Sequence, residues 1–365
     1  ERALLWTEYF KNRKNGKKPV MVQMAEALRH VLLNKSVAIY PDELIVGNYT
    51  SKRVGGIIYP ETHGVPVMLD LLKYPKRAVN PLCISRQEQL DLAMIMPFWQ
   101  SRFLVAKAFP NLWERARYSL EQLRAGNYYI YEAGGIAHLA PDHEKLIRLG
   151  TEEIKKEIEA LNLKNTNPEQ ESFYNAALLS AEALALFGER YAACAEALAE
   201  KEEDAMRSLE LHDIAAVCRH VPRRGARTFH EALQSLFFLH VAIFQESMGE
   251  TVCPGRIDQI LYPYYKKDRD AHLITRKRAK ELLESFCIKL CETIPVYSQA
   301  ITNLAGGMPS WQVVTMGGQD QEGNDTTNEL SYLLLEIATE LRMRQPNFHA
   351  RIHSGSPPEF RKAIY

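Results

Sequence analysis

The chain has 365 residues, and 45 Lys+Arg balance 45 Asp+Glu, so its formal net charge is zero. Hydrophobic residues make up 46% and charged residues 25%, the mixture of a globular protein with a large core. Neutrality excludes the broad basic field of a general nucleic-acid binder, and the composition excludes disorder and a disulfide mini-scaffold.

Cys83, Cys194, Cys218, Cys253, Cys287 and Cys291 are too sparse for a disulfide framework and form no CxxC pair. Cys287 and Cys291, four apart in an apolar helical run, read as core thiols, and a reduced, cytoplasmic setting follows. No apolar run approaches the ~20 residues of a membrane span. Glu1-Arg2-Ala3 offers neither an initiator Met nor a signal segment, and the chain stops inside what reads as a helix. Both ends read as cut.

In chain order, residues 21–33 repeat apolar positions at three- and four-residue steps behind Pro19, which predicts a helix. Residues 42–48 read as a turn followed by a short strand or extended segment. Gly55-Gly56 and Pro60 then make the next stretch irregular. Ser85 and Glu88 form a capping box, and the helix behind them is expected to run to Pro97. Residues 128–141, with two glycines, His138 and Pro141, cannot be one regular element. Asp142 opens a helix to about residue 161, and the longest helix is predicted over 172–201. Thr228 and Glu231 suggest a second capping box, heading a helix over 229–245, and residues 246–255 read as a loop. A helix is expected over 276–291. The best strand is 311–317, β-branched and ending in Gly317-Gly318. Thr326 with Glu329 caps a helix over 328–342, Pro346 breaks it, and 347–353 alternates as a strand. Strand, helix, strand is a βαβ unit with a parallel pair.

Several residue groups invite a chemical reading. His349 and His353 have a metal-like spacing on a helix, but on the predicted strand they and Arg351 share a face that could look into a barrel or cleft. Residues 320–325 lack the glycine and glutamate of a calcium loop and read as a polar turn. The paired glycines form no phosphate cradle, so no nucleotide or metal site is expected. His138, on irregular backbone beside Asp142, could act as a general acid/base or as a hydrogen-bond donor to substrate, or be structural. Cys253 has no base near it in sequence.

Taken together, several segments resemble the glycyl radical enzymes of the pyruvate formate-lyase-like family. They are DELIVG at 42–47, PFW at 97–99, GIAHLAPD at 135–142, ARTFHEALQ at 226–234, GRIDQILYPYY at 255–265, the GG…GND…TNELSY run at 317–332, and QPN…RIH at 345–353. His143 stands where the family's GHxxPDY segment has Tyr. The resemblance implies an α/β fold in which a helix-rich N-terminal body leads into the first half of a ten-stranded barrel, incomplete here. About 1–300 would be the helical body and about 301–365 the start of the half-barrel.

It also implies a protein-derived glycyl radical cofactor and a cysteine that attacks the substrate, both downstream of Tyr365, so that this chain alone would be inactive. The reaction implied is radical C–C or C–O cleavage of a small organic substrate, decarboxylase- or dehydratase-like. Acyl transfer from pyruvate to coenzyme A is an alternative, and a non-catalytic scaffold is another. Partners implied are a radical-SAM activating enzyme and a second copy of the chain, with neither nucleic acid nor membrane. His138 matches the family histidine that contacts substrate hydroxyls. Glu250 and Thr251 occupy the polar stretch before GRIDQ, Trp311 would form an apolar wall, and Arg256 with Asp258 would make a structural ion pair.

Overall fold

The computed structural model describes residues 1–102, 104–125, 138–165, 167–248, 251–305 and 310–365, and of 63–66, 104–105, 119, 122–125, 138 and 304–305 the backbone alone. The helix Phe229–Glu246 forms the centre of the fold. It is apolar on nearly every side, the pattern of a helix with no solvent face, and Phe229, Leu233, Phe237, Phe238 and Val241 are buried. Around it pack the helices Val20–Asn34, His143–Asn162, Pro168–Ala199, Ala205–His220 and Arg276–Leu290. Phe238 stacks edge-on against Phe187, and Phe237 against Tyr49 and Phe286.

The same helix decides between the two alternatives, strand or extended segment, that the sequence left open. Residues 44–49 form no strand. Their backbone groups are taken up by side chains instead. His230 bonds the Leu44 carbonyl at 2.9 Å, and Gln234 bonds both the Val46 N–H (2.9 Å) and its carbonyl (2.7 Å). Gln245 donates to the Tyr49 carbonyl at 3.0 Å, and the Tyr191 hydroxyl accepts from Asn48 N–H at 2.9 Å. Burial demands that every backbone group find a partner, and here polar residues of the central helix replace a neighbouring strand.

Helix limits follow local chemistry. Ser85 and Glu88 form the expected box, but the helix passes through Pro97 to Trp99. Thr228 accepts from Glu231 N–H, whereas the Glu231 carboxylate turns to Arg227, so only half of that box forms. Asn328, not Thr326, caps the helix Glu329–Leu341, in a reciprocal pair with Ser331. Thr326 is occupied by Arg256. That helix ends at Leu341, with Arg342 in a left-handed conformation, before Pro346 is reached. Within His143–Asn162 the chain kinks at Gly150.

Parallel strands form along one side of the helical body. His138–Leu139 pairs with Thr251–Val252, and Val313–Gly317 pairs with Asn347–Arg351 over five residues. A bridge between Gly255 and Val314 joins the two pairs. The joining hydrogen bonds run from Gly255 N to Val313 O (3.2 Å) and Thr315 N to Gly255 O (2.8 Å), while Cys253 N to Leu139 O (2.9 Å) extends the first pair. The βαβ reading therefore holds, and the strip also recruits short extended pieces at 138–139 and 251–255. A separate pair, Gly55–Gly56 with Thr293–Ile294, lies apart from it. Along the strip Val252, Val314 and Met316 are buried toward the helices. Thr251, Cys253, Thr315, His349 and Arg351 keep exposure on the alternate positions. No closed barrel forms among the described residues.

Candidate functional site

The strip decides which of the sequence-predicted residues meet. The parallel register sets His138 beside Thr251, two residues before Cys253. On the next segment Trp311 stands just ahead of Val313–Gly317, and the Cys253 thiol donates to the Trp311 carbonyl at 3.8 Å and to the Thr251 carbonyl at 3.5 Å. His138, Thr251 and Trp311 thus stand, by their backbones, at the N-terminal ends of three adjacent segments of the strip. Glu250 lies outside the described residues.

Two buried histidines stand behind this end. Burial pushes the His143 imidazole down to about 4, against the opposing pull of the Cys253 backbone. Burial likewise takes His240 down to about 3, although its bond to Gln312 favours the charged form. Both rings are therefore neutral near pH 7 and add no charge behind the sheet. Glu246, at the end of the central helix, is a carboxyl whose pKa burial raises.

At the opposite end of the strip, Arg256 and Asp258 do not form the expected ion pair. Each grips the 317–331 turn instead. The Arg256 guanidinium donates to the Gly317 and Gln319 carbonyls and to the Thr326 hydroxyl. The buried Asp258 carboxylate accepts from Gly317 N (2.7 Å) and from the Ser331 hydroxyl (2.6 Å). Backbone and hydroxyl groups of the turn partner both side chains in place of each other, a choice that sequence spacing does not reveal. Residues 320–325 make the expected polar turn, closed by Asp320 onto the Glu322 and Asn324 amides.

The proposed histidine row splits. His349 is exposed on its strand, while His353 lies beyond the strand and bonds Asp325 at 2.9 Å. Sequence reasoning passed over His240, Gln312 and Gln345, all fully buried around the start of the two long strands. Their signal was available: a polar residue inside an apolar segment has to find a partner.

The sequence profile described as pyruvate formate lyase-like matches residues 1–365. The chain is 31% identical over 376 residues to the isethionate sulfite-lyase of Desulfovibrio desulfuricans, across 99% of this chain and 45% of that protein. Its fold superposes on the glycerol-bound B12-independent glycerol dehydratase of Clostridium butyricum with a TM-score of 0.89 and 33% identity, covering 98% of this chain and 46% of that one. A glycyl radical enzyme from Archaeoglobus fulgidus matches with a TM-score of 0.91 and 37% identity, over 100% of this chain and 47% of that one. The chain thus spans about half the length of the relatives it matches, and all of these are glycyl radical enzymes or lyases and dehydratases like them. With the whole of its length matched, the chain belongs to the pyruvate formate lyase-like family.

Proposed function

We propose that the whole protein is a glycyl radical lyase that cleaves a C–O or C–C bond in a small hydroxylated substrate. The observation that supports this reading is the placement of His138, Thr251 and Trp311 at the same end of adjacent segments of a parallel strip, with two neutral histidines behind them. That end suits the cofactor the family implies. Its Thr251 and Cys253 side chains are half-buried, and the imidazoles behind them stay uncharged, so a neutral reacting centre meets no opposing charge from that layer. The protein-derived glycyl radical, on a residue outside 1–365, supplies hydrogen-atom abstraction through a cysteine thiol.

The residues of this chain bind and orient. His138 and Thr251 would hold substrate hydroxyls by hydrogen bonds. Trp311 would close the apolar side and exclude water, which suppresses side reactions. Glu250 completes the proposed polar stretch. A radical-SAM activating enzyme, a homodimer and an anaerobic cytoplasmic setting belong to the same proposal. The helical body of about 1–300 would carry the half-barrel that starts near 301.

The test offers the whole, anaerobically activated protein glycerol, 1,2-propanediol, isethionate, (2S)-3-sulfopropanediol and trans-4-hydroxy-L-proline. These are chosen because the relatives' names specify them. At least one should be cleaved. His138→Ala is expected to lower kcat/KM for it by about a hundredfold while radical content stays unchanged, the scale for losing a positioned polar group. An unchanged kcat/KM would contradict a substrate-binding role for His138.

A further inference from the structure

Trp311 holds a left-handed backbone, with φ at 46°. A bulky residue avoids that region unless its surroundings enforce it. Here both flanking residues are gripped by buried side chains. Ahead of it, Ser310 N–H donates to Gln345 Oε1 at 3.0 Å. Behind it, Gln312 Nε2 donates to the Leu290 carbonyl at 2.9 Å, and Gln345 Nε2 reaches the same carbonyl at 2.6 Å. With its amide nitrogen so used, Gln312 presents Oε1 to His240, whose Nε2 donates to it at 2.6 Å. The Gln312 carbonyl also accepts from Asn347 N at 2.8 Å, which ties the start of one long strand to the start of the next. His240, Gln312 and Gln345 are all 0% exposed.

Polar groups so deeply buried carry a desolvation cost that apolar residues would not, so the network fits a role in placing something specific. We infer that His240, Gln312 and Gln345 are positioning residues that lock Trp311 as a wall of the substrate pocket and thereby set which substrates fit. The inference rests on the reading that Trp311 borders that pocket. The clamp runs from the buried central helix, through the last carbonyl of the helix Arg276–Leu290, to both long strands, so it ties the wall to secondary-structure elements rather than to a loop.

The test uses the whole protein and the fluorescence of Trp311, isolated as wild type minus Trp311→Phe. Gln312→Leu is expected to red-shift that component and to increase its quenching by acrylamide. Gln345→Met, which keeps the side-chain length and loses the hook, gives the same readout should Gln312→Leu fold poorly. Kinetically, either variant is expected to raise KM for the cleaved substrate by about tenfold with kcat nearly unchanged. In the Trp311→Gly background that rise should shrink below about twofold, because the clamp has nothing left to hold. Unchanged Trp311 emission in the folded variants would overturn the clamp. So would an equal KM cost in both backgrounds, the mark of a merely structural role. Failure of the underlying pocket reading shows separately, as unchanged KM values in Trp311→Ala across every substrate tested.

Discussion

Replacing Lys289 with methionine is expected to destabilise the fold by about 3–5 kcal/mol, the cost of breaking a buried ionic cluster by removing one partner. Lys289 is 1% exposed and bonds the carboxylates of Glu43 at 2.8 Å and Glu292 at 2.5 Å, themselves 4% and 3% exposed. Arg53, half-exposed, also approaches Glu292, at 3.5 Å. Methionine fills the same length but leaves two buried carboxylates facing each other with only the half-exposed Arg53 near one of them, among the described residues. The urea midpoint should fall with little change in slope.

The deficit should also depend on pH in a definite direction. Burial raises the Glu292 carboxyl even with Lys289 present. A carboxyl raised in the folded state costs stability as pH climbs through its unfolded value toward its folded one, and the cost is absent below both. The variant's deficit should therefore shrink as pH falls toward about 4, where the unfolded carboxylates also take up protons. A loss under about 1 kcal/mol at neutral pH, or one that does not change on acidification, would contradict this view of the cluster.

Gly150→Ala should cost about 2–6 kcal/mol, the sum of strain at a glycine-only backbone position and of overpacking. Gly150 interrupts its helix at φ 71° and ψ 168°. An added methyl would meet the backbone of Arg224 at 2.3 Å and the Arg223 carbonyl at 2.6 Å, and backbone cannot swing aside like a side-chain tip. The contact is close because residues 222–226 pair with the kink itself. Thr151 N bonds Pro222 O at 2.8 Å, Glu152 N bonds Arg223 O at 2.9 Å, and Ala226 N bonds Ile147 O at 2.7 Å. Gly16→Ala provides the control, since nothing lies within 4 Å of its missing side chain, and it should change stability by less than about 0.5 kcal/mol. Thermal melts of the two variants side by side decide the matter, and equal shifts would contradict the requirement for glycine at the kink.

That kink shows where reading the sequence stops. The apolar period of residues 143–162 predicts a helix and finds one, but period alone says nothing of a second segment threading against its middle. The same limit left the segment within 42–48 open between a strand and an extended piece, because the hydrogen bonds from Gln234, Gln245 and His230 that settle it exist only in the folded chain. Where local chemistry suffices, the reading held. The β-branched run before Gly317 is a strand, and Ser85 with Glu88 caps a helix. Two-residue strands at 138–139 and 251–252 carry no periodic signal of their own, since only their neighbours make them strands. For the candidate site, resemblance suggested His138, Thr251 and Trp311, whose backbones stand at the starts of adjacent segments of the strip. Gln312 and Gln345 looked like ordinary polar residues beside strands. Their shared acceptor, the Leu290 carbonyl, exists only once the chain has folded.

The central claim is that this chain supplies part of a glycyl radical lyase, and electron paramagnetic resonance of the whole protein tests it most directly. The protein would be incubated anaerobically with its radical-SAM activating enzyme and reductant, then measured before and after exposure to air. The account predicts an organic radical on glycine that appears only after activation, disappears in air, and accompanies cleavage of a hydroxylated substrate. Absence of that radical, under conditions that load a glycerol dehydratase relative with its own activating enzyme, would contradict it.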